Sequence, residues 1–277
     1  MATLNGGDRI KTLLSSLERQ SLKSFEVIIV DQSEKSILDK IQNFSKLNIR
    51  YFKTDEAHLS KARNIGIQNS IGEHIGFPDD DCIYDKNILL KLDNIFRNKK
   101  LDFICTGVYS IETNMRLPVT SLKNDTAVNL WNFYKTGTSV GLFMRNSSKK
   151  YFDTNFGIGG TYGSSEELDL ILRDIILNKK GNYYPSLKVF HPSIDPIIHQ
   201  DLNKIITRSV GHGAFWRKHI YYIFRNGGFP LILFYVFFIQ LAHLFKSLIK
   251  LNVKSITIDW LIFTNTLRGF LRYVDLV

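Results

Sequence analysis

The run HIGFPDDDC, from His74 to Cys82, passes within nine residues from an apolar strand to three adjacent carboxylates. A short apolar segment that stops at a charged cluster reads as a buried strand whose carboxyl end is exposed. The same reading applies upstream. Phe25 to Val30 (FEVIIV) is a buried strand ending at Asp31, and Asn48 to Phe52 (NIRYF) is the next. Helical spacing fills the intervals: Ile10, Leu13, Leu14 and Leu17 within 7–20, Ile37 to Phe44, Leu59 to Gln68, and Ile88, Leu89, Leu92, Ile95 and Phe96 within 87–96. Further strands are expected over 102–111, 139–145 and 182–190, with a helix over 166–177. This alternation predicts an α/β layer fold with a mixed, mainly parallel sheet flanked by helices.

The chain has 277 residues, 44% hydrophobic and 22% charged. That excludes a disordered tail, a collagen and a disulfide miniprotein, and it leaves enough chain for a sizeable core. Two cysteines, Cys82 and Cys105, make no disulfide framework and fit a reducing compartment. The net charge of +10 is uneven: ten of the Lys and Arg residues but only three acids lie in 201–277. That region also holds Gly227 to Phe245, 19 residues without a formal charge, and a second apolar piece, Ile256 to Leu267. Basic and apolar together point to a membrane surface before nucleic acid. The expectation is a domain over 1–200 and a basic, apolar helical region over 201–277 lying on or re-entering a membrane. A single crossing by 227–245 and burial in a core are the alternatives.

Three places carry candidate chemistry. Asp79, Asp80 and Asp81 at a strand end are costly if buried without a cation, and hard oxygen ligands there suit Mg²⁺ or Mn²⁺ holding a diphosphate; a solvated, helix-capping turn is the bland alternative. Gly163-Ser164-Ser165-Glu166-Glu167-Leu168-Asp169 is a capping signature, and it also offers a carboxylate as general base. Arg63, in Ser60-Lys61-Ala62-Arg63-Asn64, can pair with phosphate or with an aspartate of the triplet. Asp31 can accept from a base or ribose, or close a turn with Ser33; His191 ends the last strand. Trp131, Tyr134 and Ser139 to Gly141 are candidates to line the acceptor or sugar site, with core packing the default for the aromatics.

Taken in order, Thr3-Leu4-Asn5, FEVIIVD, SKARNIG, IGFPDDDC, GSSEELDLILR and YYPSLKVFHP resemble the family 2 glycosyltransferases of GT-A fold, over residues 3–192. The resemblance implies a nucleotide-sugar donor, inversion at the anomeric carbon, and a glycan or lipid-linked acceptor in surface polysaccharide synthesis at the cytoplasmic face of the cell membrane. Carried over residue by residue, Thr3 and Asp31 line the nucleoside pocket and Arg63 sits near the diphosphate. Asp79 to Asp81 is the DxD motif. Asp79 and Asp81 bind the metal, with Asp81 the foremost ligand; Asp79 and Asp80 face the donor, and His191 completes the metal site. Glu167 is the implied base, with Glu166 in reserve; Asp169 and Arg173 have structural or acceptor-side roles. The family's QxxRW motif is absent from the sequence, which favours single addition over processive synthesis.

In that family the domain opens with an apolar strand before the T-x-N turn. Here Met1-Ala2 alone precede Thr3, so the expectation is that this strand is missing and that the true start lies upstream or the sequence is a fragment. Two further readings stay open: a non-catalytic nucleotide-sugar-binding protein, and a metal-dependent nucleotidyltransferase or phosphoesterase built on the aspartates. No nucleic-acid partner is expected.

Overall fold

Strand β2 (Glu26–Asp31) is buried along five of its six residues, as expected of a parallel strand covered on both faces. It pairs in parallel with β3 (Asn48–Lys53) on one side and with the two-residue β1 (Ala2–Thr3) on the other, in the order β1-β2-β3. The computed structural model describes residues 1–146, 151–192 and 201–274. It divides into two compact units: Met1–Phe152 with Leu170–Ser193, and Asp153–Asp169 with Ile194–Val277. The contiguous boundary expected at 200/201 abuts 193–200, which lie outside the described residues, and the second unit takes in Asp153–Asp169 as well.

In the first unit, helix α1 (Arg9–Glu18) buries Ile10, Leu13, Leu14 and Leu17, one face at helical spacing. Helices α2 (Leu38–Ile41) and α3 (Leu59–Asn69) follow; the ring of His58 caps α3 by accepting from the Lys61 amide at 3.4 Å. A six-stranded sheet is built from β4 (His74–Gly76), β5 (Ile83–Tyr84), β6 (Phe103–Ser110), β7 (Thr126–Val128), β8 (Leu142–Arg145) and β9 (Gly181–His191). Its order is β4-β8-β6-β9-β5, with β7 on β9. The β6–β9 pair is parallel and the other four pairs are antiparallel, so the sheet is mixed. Helix α4 (Ile88–Asn98) buries Ile88, Leu92 and Phe96 against this core.

Strand β1 reaches only Val30 and Asp31 of β2, and β4 has no strand partner other than β8 among the described residues. A cavity of about 700 Å³ opens here, lined by Met1, Val27 and Ile28 on one side and Ile75 and Phe77 on the other. Both cysteines are free and buried in this unit.

The second unit is helical. It contains α6 (Leu202–Lys218), α7 (Ile220–Arg225), α8 (Phe229–Ile232), wide π-type turns over Leu233–Phe238, α9 (Ile239–Ile249) and α10 (Val253–Arg272). Side chains cap two of them: Asp201 accepts from the Lys204 amide at 3.1 Å and Asn252 from the Ser255 amide at 3.0 Å. Helices α6 and α10 touch backbone to backbone. A Cβ on Gly213 would lie 1.9 Å from the Thr266 carbonyl oxygen, and one on Gly269 2.0 Å from that of Val210. The apolar run 227–245 is broken among several short elements, and no helix among the described residues is long and apolar enough to cross a membrane.

Candidate functional site

Register brings His191 to the aspartates. In the antiparallel β5–β9 pair Phe190 faces Ile83, so the residue after Phe190 lies beside the one before Ile83. The side-chain ligand atoms of His191, Asp81 and Cys82 come within 4.8 Å of one another. His191 Nε2 stands 3.4 Å from Asp81 Oδ1 and 3.8 Å from Asp79 Oδ2. The other ring nitrogen, Nδ1, lies 2.8 Å from the Pro192 carbonyl oxygen. A carbonyl oxygen only accepts, so Nδ1 carries the proton, and in the neutral ring Nε2 is a bare lone pair. That lone pair faces two carboxylates, and the buried Asp81 Oδ1 has no hydrogen-bond donor. Two carboxylates converging on a ring nitrogen that accepts when neutral suit a cation. Two carboxylates and an imidazole fit Mg²⁺ or Mn²⁺. Burial raises the Cys82 thiol well above its ordinary pKa, helped by the neighbouring aspartates, so it stays protonated and is a poor ligand for such an ion.

The middle aspartate turns the other way. Asp80 accepts from Thr3 Oγ1 at 2.5 Å and lies 3.6 Å from the Arg9 guanidinium. Gly6 permits this approach: a Cβ there would sit 2.3 Å from Thr3 Oγ1 and 2.5 Å from Asp80 Oδ2. Burial raises the Asp80 carboxyl above its ordinary pKa. The Thr3 hydrogen bond and Arg9 oppose this, while Asp81 and Asp79 reinforce it.

Arg63 is buried on α3, and its guanidinium meets Asp79 Oδ1 at 3.0 Å and lies 5.3 Å from the centre of the Phe152 ring. It therefore holds one aspartate of the candidate metal site in place. Asp31 stands opposite Thr3 in the β1–β2 pair and is fully buried. Its Oδ1 accepts from the Ser33 amide at 2.9 Å, and its Oδ2 accepts from the Ile37 amide at 3.2 Å and the Tyr51 hydroxyl at 2.7 Å. The turn with Ser33, weighed in the sequence as the alternative to a donor contact, is formed. Burial alone would raise the Asp31 pKa, but these hydrogen bonds outweigh it and hold the carboxyl below its ordinary value.

Glu166 and Glu167 belong to the second unit, at the first turn of α5 (Glu166–Ile176). Ser165 before them has φ of 71°, the left-handed region. Ser164 is held by α6: its hydroxyl donates to the Arg208 carbonyl at 3.0 Å, and a Cβ on Gly211 would lie within 3 Å of it. Asp169 is fully buried, with Oδ1 2.7 Å from Lys218 Nζ and 2.8 Å from His219 Nε2; Lys218 also meets Asp153 at 2.6 Å. Arg173 donates to the Tyr151 carbonyl at 2.7 Å within the first unit. Sequence reasoning missed Arg9, Tyr51, Lys218 and His219, because nothing local ties them to partners this far along the chain. Trp131, expected in the core, is 51% exposed: it follows β7 in a turn at the surface.

A sequence model described as Glycosyl transferase family 2 matches residues 1–161. The chain is 29% identical over 118 residues to the poly(ribitol-phosphate) beta-N-acetylglucosaminyltransferase TarP of Staphylococcus aureus, covering 40% of this chain and 36% of that protein. It is 33% identical over 98 residues to an uncharacterized glycosyltransferase of Haemophilus influenzae, covering 34% and 33%. Curated relatives are thus matched over no more than 36% of their own length. Among solved structures, S. aureus TarS 1-349 in complex with UDP-GlcNAc superposes with a TM-score of 0.61 at 16% identity, over 100% of this chain and 93% of that one. The mannosyltransferase PcManGT of Pyrobaculum calidifontis, in complex with GDP-Man and Mn²⁺, gives 0.67 at 10% identity, over 98% and 85%. At these identities the structures establish the shared GT-A fold.

Proposed function

This chain belongs to glycosyl transferase family 2, and from that premise we propose that it is an inverting glycosyltransferase. It moves a sugar from a nucleotide-diphosphate donor to a glycan or lipid-linked acceptor in surface polysaccharide synthesis. It works at the cytoplasmic face of the cell membrane, to which the region 201–277 attaches it peripherally. The observation that carries the proposal is the convergence of the Asp79 and Asp81 carboxylates on His191 Nε2.

These three residues would hold Mg²⁺ or Mn²⁺, which when bound neutralises charge on a diphosphate leaving group. Arg63 fixes Asp79 and carries a positive charge at the same place. In this reading Thr3, Asp31 and Asp80 stand on the donor side, and Thr3 donates to Asp80. In a single inverting displacement, the acceptor oxygen bonds the anomeric carbon as the sugar–phosphate bond breaks. The electron pair leaves with the diphosphate, and the acceptor proton passes to a carboxylate. Glu167 takes that role, with Glu166 beside it in reserve; no covalent enzyme intermediate is needed. The nucleotide-sugar complexes of TarS and PcManGT support the donor class.

Donor binding and hydrolysis, measured with a panel of UDP-, GDP- and dTDP-sugars and Mn²⁺ or Mg²⁺, test this. Asp81→Ala should lose metal-dependent donor binding. Glu167→Gln should keep binding and lose turnover by about 10²–10⁴-fold. Loss of turnover in Glu166→Gln alone would move the base by one residue. Donor binding without turnover in the unmodified chain would leave a non-catalytic binder. No donor binding with either metal would overturn the assignment.

A further inference from the structure

Helix α9 is inverted. The side chains it buries are polar, Gln240 and Ser247, and Ser247 donates to Asp259 of α10. Large apolar residues of α9 and of the residue that precedes it face outward: Phe238 is 60% exposed, Leu241 43%, Phe245 65% and Leu248 47%. Their spacing of three, four and three residues places them on one face of a helix. The turn into α10 continues this surface, with Ile249 at 68%, Leu251 at 84% and Val253 at 75%. A contiguous apolar surface of this kind marks an interaction site.

Charge identifies the occupant. Lys246, Lys250 and Lys254 flank the turn and are exposed. Across the described residues 201–274 the acids are Asp201, which caps α6 and pairs with Lys204, and Asp259, whose carboxylate is engaged by Ser247. An apolar tip ringed by lysines matches an anionic lipid surface, where acyl chains take the tip and headgroups take the ammonium groups. A second copy of the chain fits less well, because a two-fold contact through the same patch would bring like charges together. No described helix is long and apolar enough to cross, so the tip enters the interface without spanning it.

We infer that the α9–α10 turn, with Ile249, Leu251 and Val253 at its tip and Lys246, Lys250 and Lys254 around it, is the docking surface for an anionic lipid bilayer. The inference rests on the proposed membrane attachment and gives it a site and a lipid chemistry. The test is flotation of the full chain with vesicles of equal parts phosphatidylglycerol and phosphatidylcholine, and with phosphatidylcholine alone. The chain should float with the anionic vesicles and lose binding as salt rises. The triple variant I249S/L251S/V253S should bind at least about tenfold more weakly. The charge-reversed K246E/K250E/K254E should do the same through the other half of the contact, at about fivefold or more per lysine. All six positions are exposed, and circular dichroism checks that both variants stay folded.

Wild-type flotation that survives both triple variants overturns the inference while leaving membrane attachment elsewhere on the chain. No flotation of the wild type overturns both inference and attachment. A dimer seen by light scattering that dissociates in the serine variant, without flotation, reassigns the face to self-association and also overturns the inference. Donor turnover in solution, run in parallel, reports on the transferase reading independently: it should be unchanged in both variants, whose positions lie outside the proposed donor site.

Discussion

Asp31 shows how one buried carboxylate organises its surroundings: two backbone amides and a tyrosine hydroxyl donate to it. An asparagine there would point an amide NH₂ at a donor. Asp31→Asn should therefore cost about 1–3 kcal/mol of stability at pH 7, measured by urea unfolding. The pH dependence has a definite sign. A carboxyl with a depressed folded-state pKa stabilises the fold fully above its unfolded value of about 3.9, and that contribution disappears as pH falls through the folded value. The gap between Asp31→Asn and the unmodified chain should narrow in that acid range. The aspartate triplet was legible as a candidate ligand cluster because three carboxylates followed an apolar strand, and the turn then separates Asp79 and Asp81 from Asp80. Which partner Asp80 would take was not legible, because the choice depends on Gly6 leaving room for Thr3.

Helix α5 begins at a strained residue, and the strain is held in place by its own unit. Ser165, at φ of 71°, should accept glycine readily, whereas Ser165→Val should cost about 1–3 kcal/mol by thermal unfolding. Asp169→Ala removes a buried acceptor shared by Lys218 and His219 while Lys218 keeps Asp153, and should cost about 1–3 kcal/mol. At the α6–α10 crossing, Gly213→Ala or Gly269→Ala forces two backbones apart and should cost about 1–3 kcal/mol. Elements such as α1, β2 and α4 were legible because their apolar periods are clean. The strands β1 and β5, two residues each, carry no period at all. The pairing of Asp169 with residues fifty positions later follows from how α6 folds, which no local pattern encodes.

For the whole molecule, binding and folding are linked through the candidate metal site. Mn²⁺ at a hundred times its dissociation constant should add about 2.7 kcal/mol to the first unit's stability, and the resulting rise in Tm should vanish in Asp81→Ala. The layer fold was readable from alternating elements. Its division into a parallel three-stranded and a mixed six-stranded sheet was not, because pairing partners lie far apart in sequence. The placement of the cysteines has a practical outcome. Cys82 and Cys105 are both buried in the first unit, and burial raises the Cys105 pKa to about 12. Trp216, fully buried, and Trp260 belong to the second. With Trp131 of the first unit replaced by phenylalanine, the chain carries two reporters that do not overlap. The rate at which a thiol-reactive dye labels the protein clocks the opening of one half, and the two indoles left in Trp131→Phe track the other by emission.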